Sequence, residues 1–357
     1  MTTVVARGCA IYRASILAVA ITTIGFPVHA QNPSERIQDI VVTARRQAES
    51  LQQTPVAVTA LDATAIERMN IIETDRIADI APNLAISQQP AAMGSASVMI
   101  RGIGQTEPAM GGLDMAVGVY LDGVYVARTA GALFDIVAPE RIEVLRGPQG
   151  TLFGRNTTGG AIQIVSQKPS DSLMAKGGYG SRNSWFLKGR FDTGAMGQSP
   201  ISAAFTFQHR QKEGYFDNYN TASLHDPGSL IANSFRTQLR GDFQDLQINY
   251  SFDYDKRKGA PPYVQLVALS PDAEKYYGSS ASLGGNPLQY HPNARLKEGY
   301  LGAAPSVPGG APYLSETESW GLNLTVSYEP SEAVRILSIT GYRGMEMNNA
   351  MNFSSNG

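Results

Sequence analysis

The chain has 357 residues, 43% of them hydrophobic and 17% charged, with 29 Lys and Arg against 31 Asp and Glu. That length allows two or three domains, the charged fraction is low against a usual ~25%, and the near-neutral balance leaves no footprint of nucleic-acid binding. With one cysteine, Cys9, a disulfide framework is excluded.

Met1 to Ala30 reads as an export signal. Arg7 and Arg13 stand without an acidic residue, an apolar run follows from Ala14 to Val28, and Val28-His29-Ala30 is a small-residue cleavage site. The apolar run is shorter than the ~20 residues that span a bilayer as a helix. Its removal takes Cys9 and two arginines, leaving 27 basic against 31 acidic residues, a net charge of −4. Gln38 to Ala44, QDIVVTA, is β-branched and polar-flanked. It is expected either to remain extended and mobile, able to add to the edge of another sheet through main-chain hydrogen bonds, or to be an ordinary first strand of the next domain.

From Gln47 to Lys168 the pattern is mixed α/β. Val56 to Leu61 reads as a strand, Asp62 as the N-cap of a short helix through Met69, and Thr74 as the cap of a second helix ended by Pro82. Val98 to Arg101 and Val117 to Leu121 read as strands, and Asp122-Gly123 predicts a tight hairpin to Val124–Ala127. Ile142–Leu145 and Ala161–Val165 are the last strands, separated by a Gly-rich stretch from Gly154 to Gly160. Gly102-Ile103-Gly104 lacks a third glycine and no Gly-Lys-Ser/Thr follows Gly154, so both nucleotide fingerprints are incomplete.

Beyond Ser172 the period becomes two. Strands are predicted over Leu173–Gly180, Asn183–Thr193, Ile201–Arg210, Ser234–Phe243, Leu246–Lys256, Ser319–Tyr328 and Val334–Met347. Trp185, Leu187 and Phe191 alternate with Lys188, Arg190 and Asp192, and Leu246, Ile248, Tyr250, Phe252 and Tyr254 with Gln247, Asn249, Ser251, Asp253 and Asp255. Strands of this kind, ~10 residues long, put one face to lipid and one to a wet lumen. In the last strand Leu337 and Ile339 break the phase.

The run from Glu140 to Lys168, ERIEVLRGPQGTLFGRNTTGGAIQIVSQK, closely resembles the end of the plug domain in TonB-dependent outer-membrane receptors. The resemblance implies a mixed fold, with an N-terminal α/β plug domain over 47–168 followed by antiparallel transmembrane β-barrel strands over 173–357. Seven strands are about a third of the ~22 of a full plugged barrel, so the chain is expected to be a fragment of a larger one. Residues 31–46 become a periplasmic segment whose Asp39, Ile40, Val41, Val42, Thr43 and Ala44 match the TonB box, the site pulled by the TonB-type energy-coupling protein. Arg101, Arg141, Glu143 and Arg146 match plug positions that form ion pairs in relatives; otherwise they are solvated surface charges. The loops at 105–116 and 128–134 follow positions that face outside, making Gln105, Glu107 and Arg128 candidates for substrate contact. Tyr276 and Tyr277, in the Tyr-rich loop at 257–318, either stack on a bulky ligand or pack the loop.

The implied activity is energy-coupled uptake of a scarce nutrient across the outer membrane, most usually a ferric siderophore. Cobalamin, an oligosaccharide or an aromatic compound are alternative cargoes, and outer-membrane lipid is the surrounding partner. No cofactor and no protein metal site are expected: His209, His225 and His291 are widely spread. No catalytic constellation stands out, so the chain is not read as an enzyme. The reading from a different class is a soluble periplasmic domain that binds phosphate or nucleotide through its glycines.

Overall fold

In a computed structural model the chain is described at residues 41–43, 47, 49–89, 92–105, 114–127, 138–195, 199–215, 226, 228–260 and 314–350. These residues belong to one unit, Asp39–Gly357. The expected export signal, Asp39, Ile40, Ala44, Glu107, Arg128, Tyr276 and Tyr277 lie outside the described residues.

The front of the chain builds three small sheets, β1-β2, a five-stranded sheet and β4-β5-β6, about one main apolar core. A short β1 (Val41–Val42) pairs antiparallel with β2 (Glu49–Ser50). Then come β3 (Val58–Asp62), α1 (Ala63–Arg68), a 3-10 turn (Thr74–Asp79), β4 (Leu84–Gln89), β5 (Ala92–Ile100) and β6 (Ile103–Gly104). They are followed by β7 (Val117–Leu121), β8 (Val124–Val126), β9 (Pro139–Arg146), α2 (Gly150–Phe153) and β10 (Gly160–Ser166). The five-stranded sheet runs β3-β9-β10-β7-β8, with β10 parallel to β7 and the other pairs antiparallel.

Alternation fixes its two faces. Ile142 and Val144 of β9, Ile162 and Ile164 of β10 and Val117 and Val119 of β7 join Ile66, Ile77 and Ile100 in the main core. Each such side chain contributes ~1.5–3 kcal/mol when fully buried. Arg141, Glu143, Gln163 and Tyr120 occupy the other face. Asp62 caps α1 as expected, its Oδ1 accepting from the Ala65 N–H at 2.7 Å, a contact of ~1 kcal/mol. The second helix expected from Thr74 is a 3-10 turn instead, without a side-chain cap, and Ile77 still enters the core. The strand expected at Val98 begins at Ala92, because its first residues pair with β4 through Gly, Ala and Ser that carry no alternation signal.

The rear of the chain is one antiparallel meander of seven strands in sequence order. These are β11 (Leu173–Gly180), β12 (Ser184–Asp192), β13 (Ile201–Lys212), β14 (Leu230–Phe243), β15 (Leu246–Gly259), β16 (Leu314–Ser331) and β17 (Val334–Ala350). Its polarity is the reverse of a soluble sheet. Lys188, Arg190, Asp192, Thr206, Gln208, Arg236, Asp255 and Arg257 are buried against the front domain, while Leu187, Phe191, Phe205, Leu239, Tyr250 and Leu324 are exposed on the other side.

Register sharpens that outer face into a belt. Gly189, Phe207, Phe235, Tyr254, Trp320 and Gly344 lie directly opposite one another across six strands, and Phe235 and Tyr254 stack with ring centroids 5.1 Å apart. The two flanking glycines give the rings their room: a Cβ would fall 2.3 Å from Phe207 at Gly189 and 2.4 Å from Trp320 at Gly344. One outward row further on, the residues are His209, Asn233, Lys256, Glu318 and Glu346, with Lys256 Nζ 2.6 Å from Glu316. Toward the short-turn end the outward face of β15 stays apolar back to Leu246. From Leu246 to Tyr254 the rise is about 27 Å along the strand, or ~21 Å along the normal at a 40° tilt, close to the ~25 Å band of outer-membrane barrels.

A charge introduced within this belt therefore meets lipid, and one at its edge meets water. Leu239→Arg is expected to cost ~2–4 kcal/mol and Asn233→Arg ~0–1 kcal/mol, read from urea unfolding in lipid vesicles; equal costs would mean that the belt does not face hydrocarbon.

Candidate functional site

The N-terminal strand is docked on the second face of the five-stranded sheet. Val42 is 0% exposed and packs with Tyr120, Leu145, Phe153 and Ala161 in a small core of its own. Tyr120 holds that core together by donating its hydroxyl to the Phe153 carbonyl at 2.6 Å. The next residue supplies the polar contact. Glu143, 0% exposed, accepts at Oε1 from the Thr43 N–H at 2.8 Å and the Thr43 hydroxyl at 3.0 Å, and from Arg141 Nε at 2.8 Å. Gln163 Nε2 donates to Thr43 Oγ1 at 2.6 Å. Glu143 Oε2 and Gln163 Oε1 have no hydrogen-bond partner among the described residues. The segment expected to be mobile is thus held by one apolar side chain and a handful of hydrogen bonds, because a β-branched residue beside the apolar patch of Tyr120 and Phe153 buries itself there.

The other predicted charges separate. Arg141 pairs with Glu143 and with Glu140. Arg101 is exposed in the left-handed region, φ 53°, just after β5, its N–H donating to the Asn83 carbonyl at 2.9 Å. Arg146 is half-buried at the end of β9, with no partner for its Nε among the described residues. Gln105 is half-buried just past β6, its carbonyl accepting from Ser97 Oγ.

Three carboxylates, of which the sequence picks out only Asp122 and that only for its turn, join the front domain to the strands behind it. Glu67 on α1 meets Lys176 of β11 at 2.6 Å and Lys188 of β12 at 3.5 Å. Glu73, before the 3-10 turn, meets Arg210 of β13 and, at 2.7 Å, Arg257 of β15. Asp122, in the β7–β8 turn, meets Arg236 of β14. In all three the carboxylate is on the front domain and the cation on the wall.

Asp122 does most with its position. Positive φ at Asp122 (48°) and Gly123 (80°) makes the two-residue turn expected of Asp-Gly. Its carboxylate also accepts from the Ser166 N–H at 2.7 Å and hydroxyl at 2.9 Å, and its carbonyl from Asn323 of β16 at 3.1 Å. Behind it the wall continues the chain of charges: Arg236 lies 3.5 Å from Asp253, and Arg343 of β17 reaches Asp253 at 2.8 Å. That reach crosses β16 at Gly321, where a Cβ would fall 2.5 Å from the Arg343 guanidinium.

The electrostatics of the front domain follow from these neighbours. Burial pushes the Glu73 carboxyl up, but Arg210 and Arg257 outweigh it and hold it far below the usual carboxylate range. At Glu67 burial is likewise outweighed, by Lys176 and Lys188, and the result is downward. Asp75 goes the other way, raised by burial and by the charge of Glu73. Among the described residues no group of three or more His, Cys, Asp or Glu is placed to hold a metal ion, and no helix is long and apolar enough to cross a membrane.

A plug-like domain tied by carboxylates to a lipid-facing antiparallel wall has close counterparts. Residues 50–161 match the family model described as the TonB-dependent Receptor Plug Domain. Those residues are a plug domain of the TonB-dependent receptors. The chain is 29% identical over 217 residues to the pesticin receptor of Yersinia pestis, covering 59% of this chain and 31% of the relative. It is 29% identical over 176 residues to the vitamin B12 transporter BtuB of Vibrio vulnificus, covering 47% and 27%. In fold it is similar to the ferric yersiniabactin uptake receptor FyuA of Yersinia pestis, TM-score 0.63 at 19% identity, over 82% of this chain and 41% of that one. The Pseudomonas aeruginosa receptor FpvA, solved with bound pyoverdine, gives TM-score 0.62 at 15% identity over 85% and 36%. The receptor chain thus spans about a third of the curated relatives it matches. Its plug followed by antiparallel strands is the family fold, and the outer membrane is its compartment.

Two outcomes test the plug contacts. Glu73→Ala takes a carboxylate away from the buried Arg257 and is expected to cost ~3 kcal/mol of stability, whereas Arg76→Ala, in an exposed pair with Asp79, should cost less than ~1 kcal/mol. In pH, a depressed carboxyl contributes fully above its unfolded value near ~4.3, and the contribution falls away progressively below that until it is gone beneath the lower folded value. Protection of the plug from protease should therefore persist at pH 4 and fail only in stronger acid. Asp75, being raised, opposes folding once ionised, so Asp75→Asn should stabilise at pH 7 and make no difference at pH 2.

Proposed function

We propose that this receptor takes up a scarce nutrient, a ferric siderophore above all, across the outer membrane, driven by a TonB-type protein that pulls on Asp39–Ala44. The observation that carries the reading is the dock of Val42 and Thr43 on Tyr120 and Glu143. A strand held by one buried valine and a few hydrogen bonds, worth together only a few kcal/mol, is stable at rest and removable under load. Release leaves Glu143 paired with Arg141, so the plug is not left with a lone buried charge.

In this reading residues 1–30 direct export, 31–46 carry the coupling strand, 47–168 stop the pore and 173–357 form part of its wall. Gln105, Glu107, Arg128, Tyr276 and Tyr277 are the residues proposed to meet cargo at the long-loop end. The iron complex is favoured because the solved relatives include the ferric yersiniabactin receptor and a pyoverdine receptor. Cobalamin is the second reading, favoured by the likeness to BtuB.

Deleting Asp39–Ala44 from the receptor in iron-starved cells is expected to abolish energy-dependent uptake of 55Fe offered as siderophore complexes, while surface binding of the same complexes persists. Uptake that survives the deletion contradicts the coupling role. Val42→Ala should loosen the dock by ~1–2 kcal/mol and speed protease cleavage of the N-terminal segment without cargo.

A further inference from the structure

The plug is fastened to its wall unevenly, and the unevenness marks where a passage opens. Glu73 has Arg210 and Arg257 as its ion-pair partners among the described residues, so pulling it from the wall takes both cations from a half-buried carboxylate. Asp122 and Arg236 are different. Separated, Asp122 keeps both Ser166 donors, and Arg236 keeps Ser251 at 2.9 Å and Asp253 at 3.5 Å. Each group retains hydrogen bonds, so parting costs far less than leaving a buried charge alone.

A space already lies beside this contact. A cavity of about 420 Å³ separates the plug from β14–β17, with Thr43, Arg141 and Gln163 on the plug side and Asn249, Asn323 and Thr325 on the wall. Asp122 and Arg236 also border it. Thr43 belongs to the docked strand, so undocking enlarges this cavity in particular. Beside Val124 the wall is smooth, since at Gly341 of β17 a Cβ would fall 2.5 Å from that side chain, and Asn323 holds the hairpin only by a neutral hydrogen bond to the Asp122 carbonyl.

The geometry points to a transport passage between the β7–β8 hairpin and the short-turn half of strands β14–β17, barred at rest by the Asp122–Arg236 pair, with Glu67 keeping the plug on β11 and β12 and Glu73 keeping it on β13 and the far end of β15. This rests on the uptake reading above. Asp122 is here a positioning residue, acting through Arg236.

The chain's single cysteine, Cys9, falls in the proposed export segment, so introduced thiols can be read alone. Two inward-facing buried reporters are compared in intact cells, Gln238→Cys on β14 at the passage and Gln208→Cys on β13 away from it. The probe is the small sulfonatoethyl methanethiosulfonate anion. Asp122→Ala is expected to speed labelling at Gln238→Cys about tenfold, the equivalent of one charge-assisted hydrogen bond, and to leave Gln208→Cys unchanged. Acceleration at Gln208→Cys, at both reporters or at neither overturns the proposal. Should Asp122→Ala not reach the outer membrane, Asp122→Asn gives the same comparison, with the same pattern expected. Repeating the assay after collapse of the proton gradient separates the two readings. Labelling that responds to Asp122→Ala but never to the gradient keeps the passage and removes energy-coupled uptake.

Discussion

A wall that shows lipid its aromatic rings has to turn its charges inward, and each inward charge needs a partner from the plug or from its own strands. That constraint organises the molecule. Lys176, Lys188, Arg210, Arg236 and Arg257 are cations on the wall, and Glu67, Glu73 and Asp122 are the plug carboxylates set against them. Where no plug carboxylate arrives, the wall pairs internally, as Arg190 does with Asp192 at 2.8 Å and Arg343 with Asp253. The apolar core of the plug accounts for its folding, and these ion pairs account for its seat.

Much of this was legible in the sequence wherever a single period governs. Strands β12 to β15 have a lipid face and a lumen face, so Trp185 to Asp192 and Leu246 to Asp255 announce themselves by alternation. The Asp-Gly turn and the cap at Asp62 follow from local chemistry, and both are where the residues place them. The long-loop ends were missed. β15 runs to Gly259 and β16 starts at Leu314, beyond the belt, where both faces are mostly polar, and β14 starts at Leu230 in the apolar run Leu230-Ile231-Ala232, so alternation vanishes at all three. Leu337 and Ile339, which break the phase of β17, do so because they face the cavity beside the plug.

The candidate site was legible in part. Val41 to Thr43 could be picked out by their β-branching, and Arg141 and Glu143 lie two apart on one strand, hence on one side of it. That Thr43 would sit on Glu143, one hundred residues away, depends on the order of strands in the sheet, which no local pattern records. Glu67, Glu73 and Asp122 escaped as plug-to-wall partners for the same reason. Each is an ordinary acid on a helix, before a turn or in a hairpin, and acquires meaning only from the lysine or arginine that β11 to β15 bring opposite.

The aromatic row also sets a height. Past Trp320 the wall continues outward to Leu314, a further rise of about 20 Å along the strand and ~15 Å along the normal at a 40° tilt. Seven such strands make a paired, hydrogen-bonded collar standing clear of the bilayer. Molecules approaching from the long-loop side meet that palisade before they meet lipid, and its outward glutamates and lysines set the first electric field they feel.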